Sequence, residues 1–421
     1  MPENETPNLE KNVKLFPIYK SLSWDLFFYY AIIFLFLTKT KNMTAAQVMF
    51  ADAFYPLSKL FFQLICVHLT DKIGTRKSIL LGNIFVDISL VVILFCVDVK
   101  GVILANILFA FAYSLKELCE PTFLNYSITQ SENRREIFAK VDGRASSMFY
   151  LFDSVSAVCS GFFFVLNHYL PIILCLTLSI IATFIAFNFE DLPQKQNANV
   201  NHIRNYLKDL RDAFKYIFNS KRLRALMIFS ASFTSLIVIF KTYMSSLLVD
   251  FNLPDKYFGI ITAIIQLVAS ISAKRQGFFQ NKYGNRVLTV FSIPFCLSIF
   301  IVGIVTSLHI NLYVEILLIG LMILIYAIVK GPYYVLIKKY LNSFSNSSLS
   351  IKIYAANTIL DSMFRFVLYL ISSYLLGMFS TAFTLLIVGG FLTILFMIIL
   401  EYMKTRVGLQ PEEYRKSDIE F

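Results

Sequence analysis

Charged side chains set inside long apolar runs are the first chemistry this chain offers. Asp25, Lys59, Asp87, Lys116, Glu117, Glu120, Asp153, Lys241, Lys330, Asp361 and Arg365 all lie in stretches otherwise dominated by Ile, Leu, Val, Phe and Ala. A charge at the centre of a membrane-spanning helix costs about 2.5–3.5 kcal/mol on insertion scales, so each one needs a partner or a task. The densest group is Lys116-Glu117-Leu118-Cys119-Glu120-Pro121. Lys116 and Glu120 are four residues apart, and Glu117 and Glu120 three, which places them on one sector of a helix. Pro121 has no amide proton and predicts a kink beside them. Asp361 and Arg365 repeat the four-residue spacing. A carboxyl in a low-dielectric cavity keeps its proton closer to neutral pH, so Glu117 or Glu120 is suited to proton exchange. Lys116, Lys241, Lys330 and Arg365 would then face an anionic or zwitterionic solute, with Asp25 and Lys59 on the same pathway. The plain alternative is that these charges form internal ion pairs between or along helices, a reading that suits Asp361 with Arg365 best.

The elements that must hold these residues are helices long enough to cross a bilayer. The 421 residues are 57% hydrophobic and 15% charged, far from the balance of a soluble domain. Twelve spans of roughly 20 apolar residues can be read, near 20–39, 44–68, 78–98, 101–125, 144–167, 170–189, 223–248, 256–279, 287–308, 311–336, 350–376 and 379–403. At 1.5 Å per residue, Lys59 lies about 18 Å from Asp71, Asp153 about 14 Å from Arg144 and Asp361 about 14 Å from Lys352, so the charges form a belt near one depth. Met1 to Lys20 is polar and does not read as a cleaved signal peptide. The six cysteines fall in the spans without CxxC spacing and read as small buried side chains; the four histidines are scattered, so no metal site is expected.

Orientation follows from the bases. Lys72, Arg76, Lys77, Arg134, Arg135, Lys140, the 195–224 segment, Lys282, Arg286, Lys338 and Lys339 share one side, whereas the turns at 167–171, 308–311 and 376–380 have no Lys or Arg. The positive-inside rule puts both termini in the cytoplasm. The net charge of +11 then matches anionic lipid headgroups, and its dispersal over many loops excludes a nucleic-acid reading.

Two halves resemble each other. Asp71-Lys72-Ile73-Gly74-Thr75-Arg76 recurs about 210 residues later as Asn281-Lys282-Tyr283-Gly284-Asn285-Arg286, and Asp153-Ser154 pairs with Asp361-Ser362. Between the halves, Pro193 to Asn199 reads as a loop. After it, Ile203, Tyr206, Leu210, Phe214 and Ile217 alternate with Arg204, Lys208, Arg211 and Lys215 as an amphipathic basic helix on the membrane surface. The expected organisation is an N-terminal half at 1–190, a linker at 191–222, a C-terminal half at 223–404 and a polar tail at 405–421. Phe27 to Tyr30 and Tyr333-Tyr334 could line a cavity and stack on a planar solute, or simply pack.

Two six-span halves joined by a basic loop, with Asp71-Lys72-x-Gly74-x-Arg76-Lys77 between spans 2 and 3, resemble the major facilitator superfamily. The resemblance covers essentially the whole chain. It implies an all-α integral membrane protein with twelve helices in two pseudo-symmetric halves. It also implies a secondary transporter, not an enzyme, working by alternating access in the plasma membrane. Asp71 would latch a neighbouring helix end, Gly74 would allow the tight turn, and Arg76, Gly284 and Arg286 would complete the gating motif. Asn281 in place of an aspartate weakens the second copy. Only Ser160-Gly161-Phe162 remains of the Gly-Pro-rich signature of many exporters in the family. The expected partners are a small-molecule substrate, a proton or other coupling ion and membrane lipids, with no cofactor, no nucleic acid and a monomeric working unit. The composition is compatible with a bacterial source. A drug-efflux antiporter and a non-transporting sensor of the same fold stay as alternatives. Asp71 to Thr75 also resembles the phosphorylation loop of P-type pumps, but no soluble stretch is long enough for their nucleotide domains, and no P-loop is present.

Overall fold

Apolar runs of this length satisfy every backbone amide internally only as helices, and helices are all that forms among the described residues. The structure is a computed structural model that describes residues 9–128, 134–192, 208, 211–212, 214–215, 217–343 and 350–404. In chain order the helices are α1 (Leu9–Ser23), α2 (Ile33–Leu35, running into a π turn at Phe36–Thr40), α3 (Ala45–Ile73) and α4 (Thr75–Phe95). Then come α5 (Val99–Ser127), α6 (Arg134–Leu166), α7 (Leu170–Phe187), α8 (Lys221–Asp250) and α9 (Lys256–Lys274). The short α10 (Gln276–Tyr283) precedes α11 (Val287–Leu308), α12 (Leu312–Ser343), α13 (Ser350–Met378) and α14 (Thr381–Lys404). Ten of the described helices are long and apolar enough to cross a membrane, eleven if α3, bent by 52°, counts as one span.

The twelfth expected span, the first, is not one helix. α1 starts at Leu9, inside the stretch read from sequence as polar lead, and stops at Ser23. Trp24 to Ile32 is turn and irregular backbone, with Phe28 at φ 63°, before helix resumes at Ile33. The Asp25 carboxylate accepts the Leu26 amide at 2.9 Å, a local bond that competes with helix. Pro121, by contrast, does not interrupt α5, which runs on to Ser127. The loop at 193–199 and the tail from Thr405 lie outside the described residues, as does most of the amphipathic stretch. In the part of it that is described, Lys208, Arg211 and Lys215 are exposed and Ile217 is buried.

The contacts divide the chain into two compact units, one of residues 1–43, 54–206 and 254–260, the other of 44–53, 207–253 and 261–421. In the first, α4 packs on α5 and α7, and α1 on α6 and α7. One of its clusters holds Phe16, Tyr19, Phe123 and Phe189, all buried, with the Tyr19 and Phe189 rings 5.2 Å apart. In the second, α11 packs on α14 and α12, and α8 on α13 and α14. Its core is aromatic: Phe233 lies 4.8 Å from Tyr333 and 5.3 Å from Phe396, and Phe240 lies 4.7 Å from Tyr326. α4 shows how such helices face outward. Ile84, Ile88, Val91 and Phe95 form an exposed apolar stripe, while Gly82, Asn83, Val86 and Ser89 are buried. The outward face is apolar, and the inward one mixes Ser78, Asn83 and Ser89 with Ile79, Leu90 and Ile93, as suits a helix whose outer side meets lipid.

Candidate substrate and ion pathway

In the first unit the expected residues sort themselves by helix. Glu120 on α5 is almost fully buried, with its side chain 1% exposed. Its Oε1 accepts from the Tyr19 hydroxyl at 2.8 Å and its Oε2 pairs with the Lys20 ammonium, both from α1. The Tyr19 oxygen lies 3.3 Å from the Asn83 amide of α4. Tyr19 has a single proton and gives it to Glu120, so the Asn83 amide meets Tyr19 as a donor once its NH2 group faces the phenol oxygen. Lys116, one turn earlier on α5, is also buried, and its ammonium donates to the carbonyl of Ser23, the last residue of α1. Its stem lies against Gly82, where an added Cβ would come within 3.0 Å of Lys116 Cγ. Asp87 on α4 accepts from Ser179 and, at 2.9 Å, from Thr183 of α7.

Glu117 goes elsewhere. It is 57% exposed along its side chain and meets Lys59 of α3 at 2.8 Å. Lys116 and Glu120 thus share a sector that faces α1, while Glu117 faces α3. Asp25 sits in the break after α1, in the same cavity lining as Lys116.

In the second unit Asp361 and Arg365 close into an ion pair along α13, and Ser235 of α8 donates to Asp361 at 3.2 Å. Lys330 on α12 reaches Gln266 of α9 at 3.4 Å. Lys241 is half-buried on α8. Tyr333 is core: its hydroxyl lies 2.9 Å from Thr234 Oγ1 and donates to the Ser230 carbonyl at 3.1 Å, so packing accounts for this ring. A cavity of about 1170 Å³ opens at the end of this unit near the 308–311 and 376–380 turns, with Asp250, Glu315, His309 and Thr381 in its wall.

The two copies of the short motif both turn on glycine. Gly74 has φ 87° and ψ 160°, and Gly284 φ 54° and ψ −132°, regions closed to most side chains. Asp71 is exposed. Arg76 grips a helix end, donating to the Phe187 carbonyl at the close of α7 and to Asp191, both at 2.9 Å. The last carbonyls of a helix carry partial negative charge, which a guanidinium matches. Arg286 is exposed.

Tyr19, Lys20, Asn83 and Ser179 were not among the residues the sequence singled out. Tyr19 and Lys20 lay in a segment that looked like polar lead. The signal was there in Asn12, Phe16, Tyr19 and Ser23, spaced four, three and four apart and all buried. Asn12 pairs with the Glu190 backbone, at 2.7 Å from its amide and 3.1 Å from its carbonyl, and so ties α1 to the chain after α7. Lys11 beside it bonds the Glu190 carboxylate at 2.8 Å and holds it below the usual carboxylate range.

This arrangement defines a multi-pass membrane protein with charged groups buried between its helices. The sequence profile of the Major Facilitator Superfamily matches residues 15–362, and the chain belongs to that family of transporters. No curated protein matches the sequence significantly. Among solved structures, the nucleoside transporter NupG is similar at 15% identity and a TM-score of 0.73, over 94% of this chain and 99% of that one. The D-xylose-proton symporter is similar at 10% identity and 0.65, over 94% and 96%. A POT family transporter in complex with 5-aminolevulinic acid is similar at 12% identity and 0.65, over 94% and 96%. At these identities the likeness is one of fold.

Proposed function

We propose that this protein carries a small polar or charged solute across the cell membrane by alternating access, coupled to protons or another ion. The observation that carries this reading is the group of charges buried in the first unit. Lys116 is withdrawn from solvent between helices, where a charge is costly, and Glu120 lies one turn away on the same sector of α5. In this reading Glu120 and Glu117 play different parts. Glu120, held by two donors, keeps α1 in place beside α5. Glu117, exposed and paired with Lys59 across helices, exchanges protons as that pair opens and closes. Lys116, Asp25, Lys241, Lys330 and Arg365 offer the charges that meet solute, and Asp361 holds Arg365. Asp71, Gly74 and Arg76, with Gly284 and Arg286, bias the access states. The chain works as a monomer with both termini in the cytoplasm of a bacterial cell.

The solutes named for the similar structures are small and polar, and nucleosides, pentoses and amino acids are the first panel to try. The test is uptake into sealed proteoliposomes under an imposed pH gradient. Glu117→Gln should lose accumulation against a gradient yet keep exchange of solute for solute, since exchange needs no net proton movement. Normal accumulation by this variant, with normal pH dependence, would remove Glu117 from coupling. Export of amphipathic drugs, or no flux of any solute, would overturn the direction or the transport reading itself.

A further inference from the structure

The cavity of about 1170 Å³ beside the 308–311 and 376–380 turns is lined by residues of the second unit alone. None of the residues assigned above to the solute pathway is in its wall. Glu315, in the first turn of α12, is 5% exposed, yet its carboxylate has no hydrogen bond and no ion pair among the described residues. Its oxygens are not sealed in by neighbouring atoms as the partnerless Ser307 Oγ is, so the carboxylate opens on the cavity. A carboxylate withdrawn this far from water is costly unless a counter-charge or a donor meets it.

The wall offers negative charge and aromatic surface together. Asp250, exposed at the end of α8, accepts from the Thr381 hydroxyl, and neither Lys nor Arg contributes to the wall. His309, also exposed, is the remaining titratable group there. Phe379 and Phe383, at the start of α14, keep 41% and 40% of their surface open, with their rings 5.1 Å apart. The faces of such rings attract an ammonium group. The volume is far beyond what one metal ion fills, and no three His, Cys, Asp or Glu side chains converge among the described residues. A zwitterion or a lipid phosphate would find no base for its anionic half.

We propose that this cavity binds an amphipathic amine in its ammonium form. The Glu315 carboxylate is the counter-charge, the Phe379 and Phe383 rings take the apolar body, and Asp250 is a second acceptor nearer solvent. The site goes beyond the transport reading above and does not depend on it. Because its ligand touches the ends of α8, α12 and α14, occupancy ties those ends together and stabilises the second unit.

Purified full-length protein is titrated with phenethylammonium chloride at neutral pH and constant ionic strength, and the thermal midpoint is followed. Phenethyl alcohol supplies the same body without charge, and phosphoethanolamine supplies the ammonium with a phosphate. The amine should raise the midpoint saturably, and neither control should. Glu315→Gln removes the charge at constant shape. It should leave the unliganded fold at least as stable and weaken half-saturation about tenfold or more. Phe383→Leu, with the charge intact, should weaken it about threefold. Equal responses to the amine and either control, or unchanged half-saturation in Glu315→Gln, would overturn the site. A response lost in Glu117→Gln and kept in Glu315→Gln would do the same, by moving the amine to the solute pathway. Should Glu315→Gln fail to fold, equilibrium dialysis of the radiolabelled amine against Phe383→Leu and Asp250→Asn decides the question, and unweakened binding by both overturns the site.

Discussion

α1 and α8 open the two units, and they could hardly differ more. α8 runs unbroken for 30 residues, capped by Ser220 and anchored in a cluster of Phe and Tyr rings. α1 lasts 15 residues and ends on a carbonyl held by a lysine from another helix. The charges follow the same division. Lys20 with Glu120 and Lys59 with Glu117, in the first unit, pair across helices, whereas Asp361 and Arg365, in the second, pair along one helix. A helix that moves past its neighbour must break a cross-helix pair, whereas a pair along one helix travels with it. The Lys20–Glu120 and Lys59–Glu117 pairs therefore report helix position, which the Asp361–Arg365 pair does not.

The most damaging change to this contrast is Glu120→Ala. It leaves half-buried Lys20 and the buried Tyr19 hydroxyl around a missing acceptor and should cost about 3–5 kcal/mol of stability, read as a lower thermal midpoint. Asp361→Ala should cost less, because it deprives Arg365 of its carboxylate while Ser235 keeps the Ala231 carbonyl, whereas Glu120→Ala orphans both Lys20 and the Tyr19 hydroxyl. Equal losses would erase the distinction between cross-helix and along-helix pairs. Next is Tyr333→Phe in the aromatic unit, which strips Thr234 and the Ser230 carbonyl of a partner and should cost about 1–3 kcal/mol. Solute binding, measured by scintillation proximity once a substrate is known, should be unchanged. Gly74→Val and Gly284→Val sharpen the comparison at matched positions. Both force a side chain into a glycine conformation at about 1–3 kcal/mol, but only Gly74→Val also disturbs the Arg76 grip on α7. Transport should fall more with Gly74→Val at equal thermal loss.

The smallest effect belongs to Lys11 and Glu190. The folded carboxyl titrates below its unfolded value, so the pair contributes at pH values above the ordinary carboxylate range and is lost as pH falls through the lowered folded value. Hydrogen exchange at the start of α1 should quicken in that acidic window, and Lys11→Met should show the faster rate already at neutral pH.

Much of the fold was legible because hydropathy reports burial in lipid directly. The span read at 287–308 coincides with α11, and most other ends agree within a few residues. The broken first span was not legible. Leu26 to Leu37 is uniformly apolar, and what keeps the helix open is the Asp25 side chain locally and Lys116 from 93 residues away. The site was legible as a set of charges but not as a set of partners. Glu117 and Glu120 lie some 60° apart around a helix. That small angle sends one to α3 and the other to α1, and only packing decides it.

Synthesis of this chain meets the break in the first helix before anything else can compensate for it. The twelve residues from Leu26 to Leu37 are too few to cross a bilayer by themselves, and the segment ahead of them carries Lys20 and Asp25. The ribosome must add 93 residues beyond Ser23 before Lys116 exists to take its carbonyl, roughly 5–20 s at ordinary elongation rates. During that interval the first segment is the least committed part of the nascent protein. Its final packing waits for α5, α6 and α7, so the order of translation is not the order of assembly.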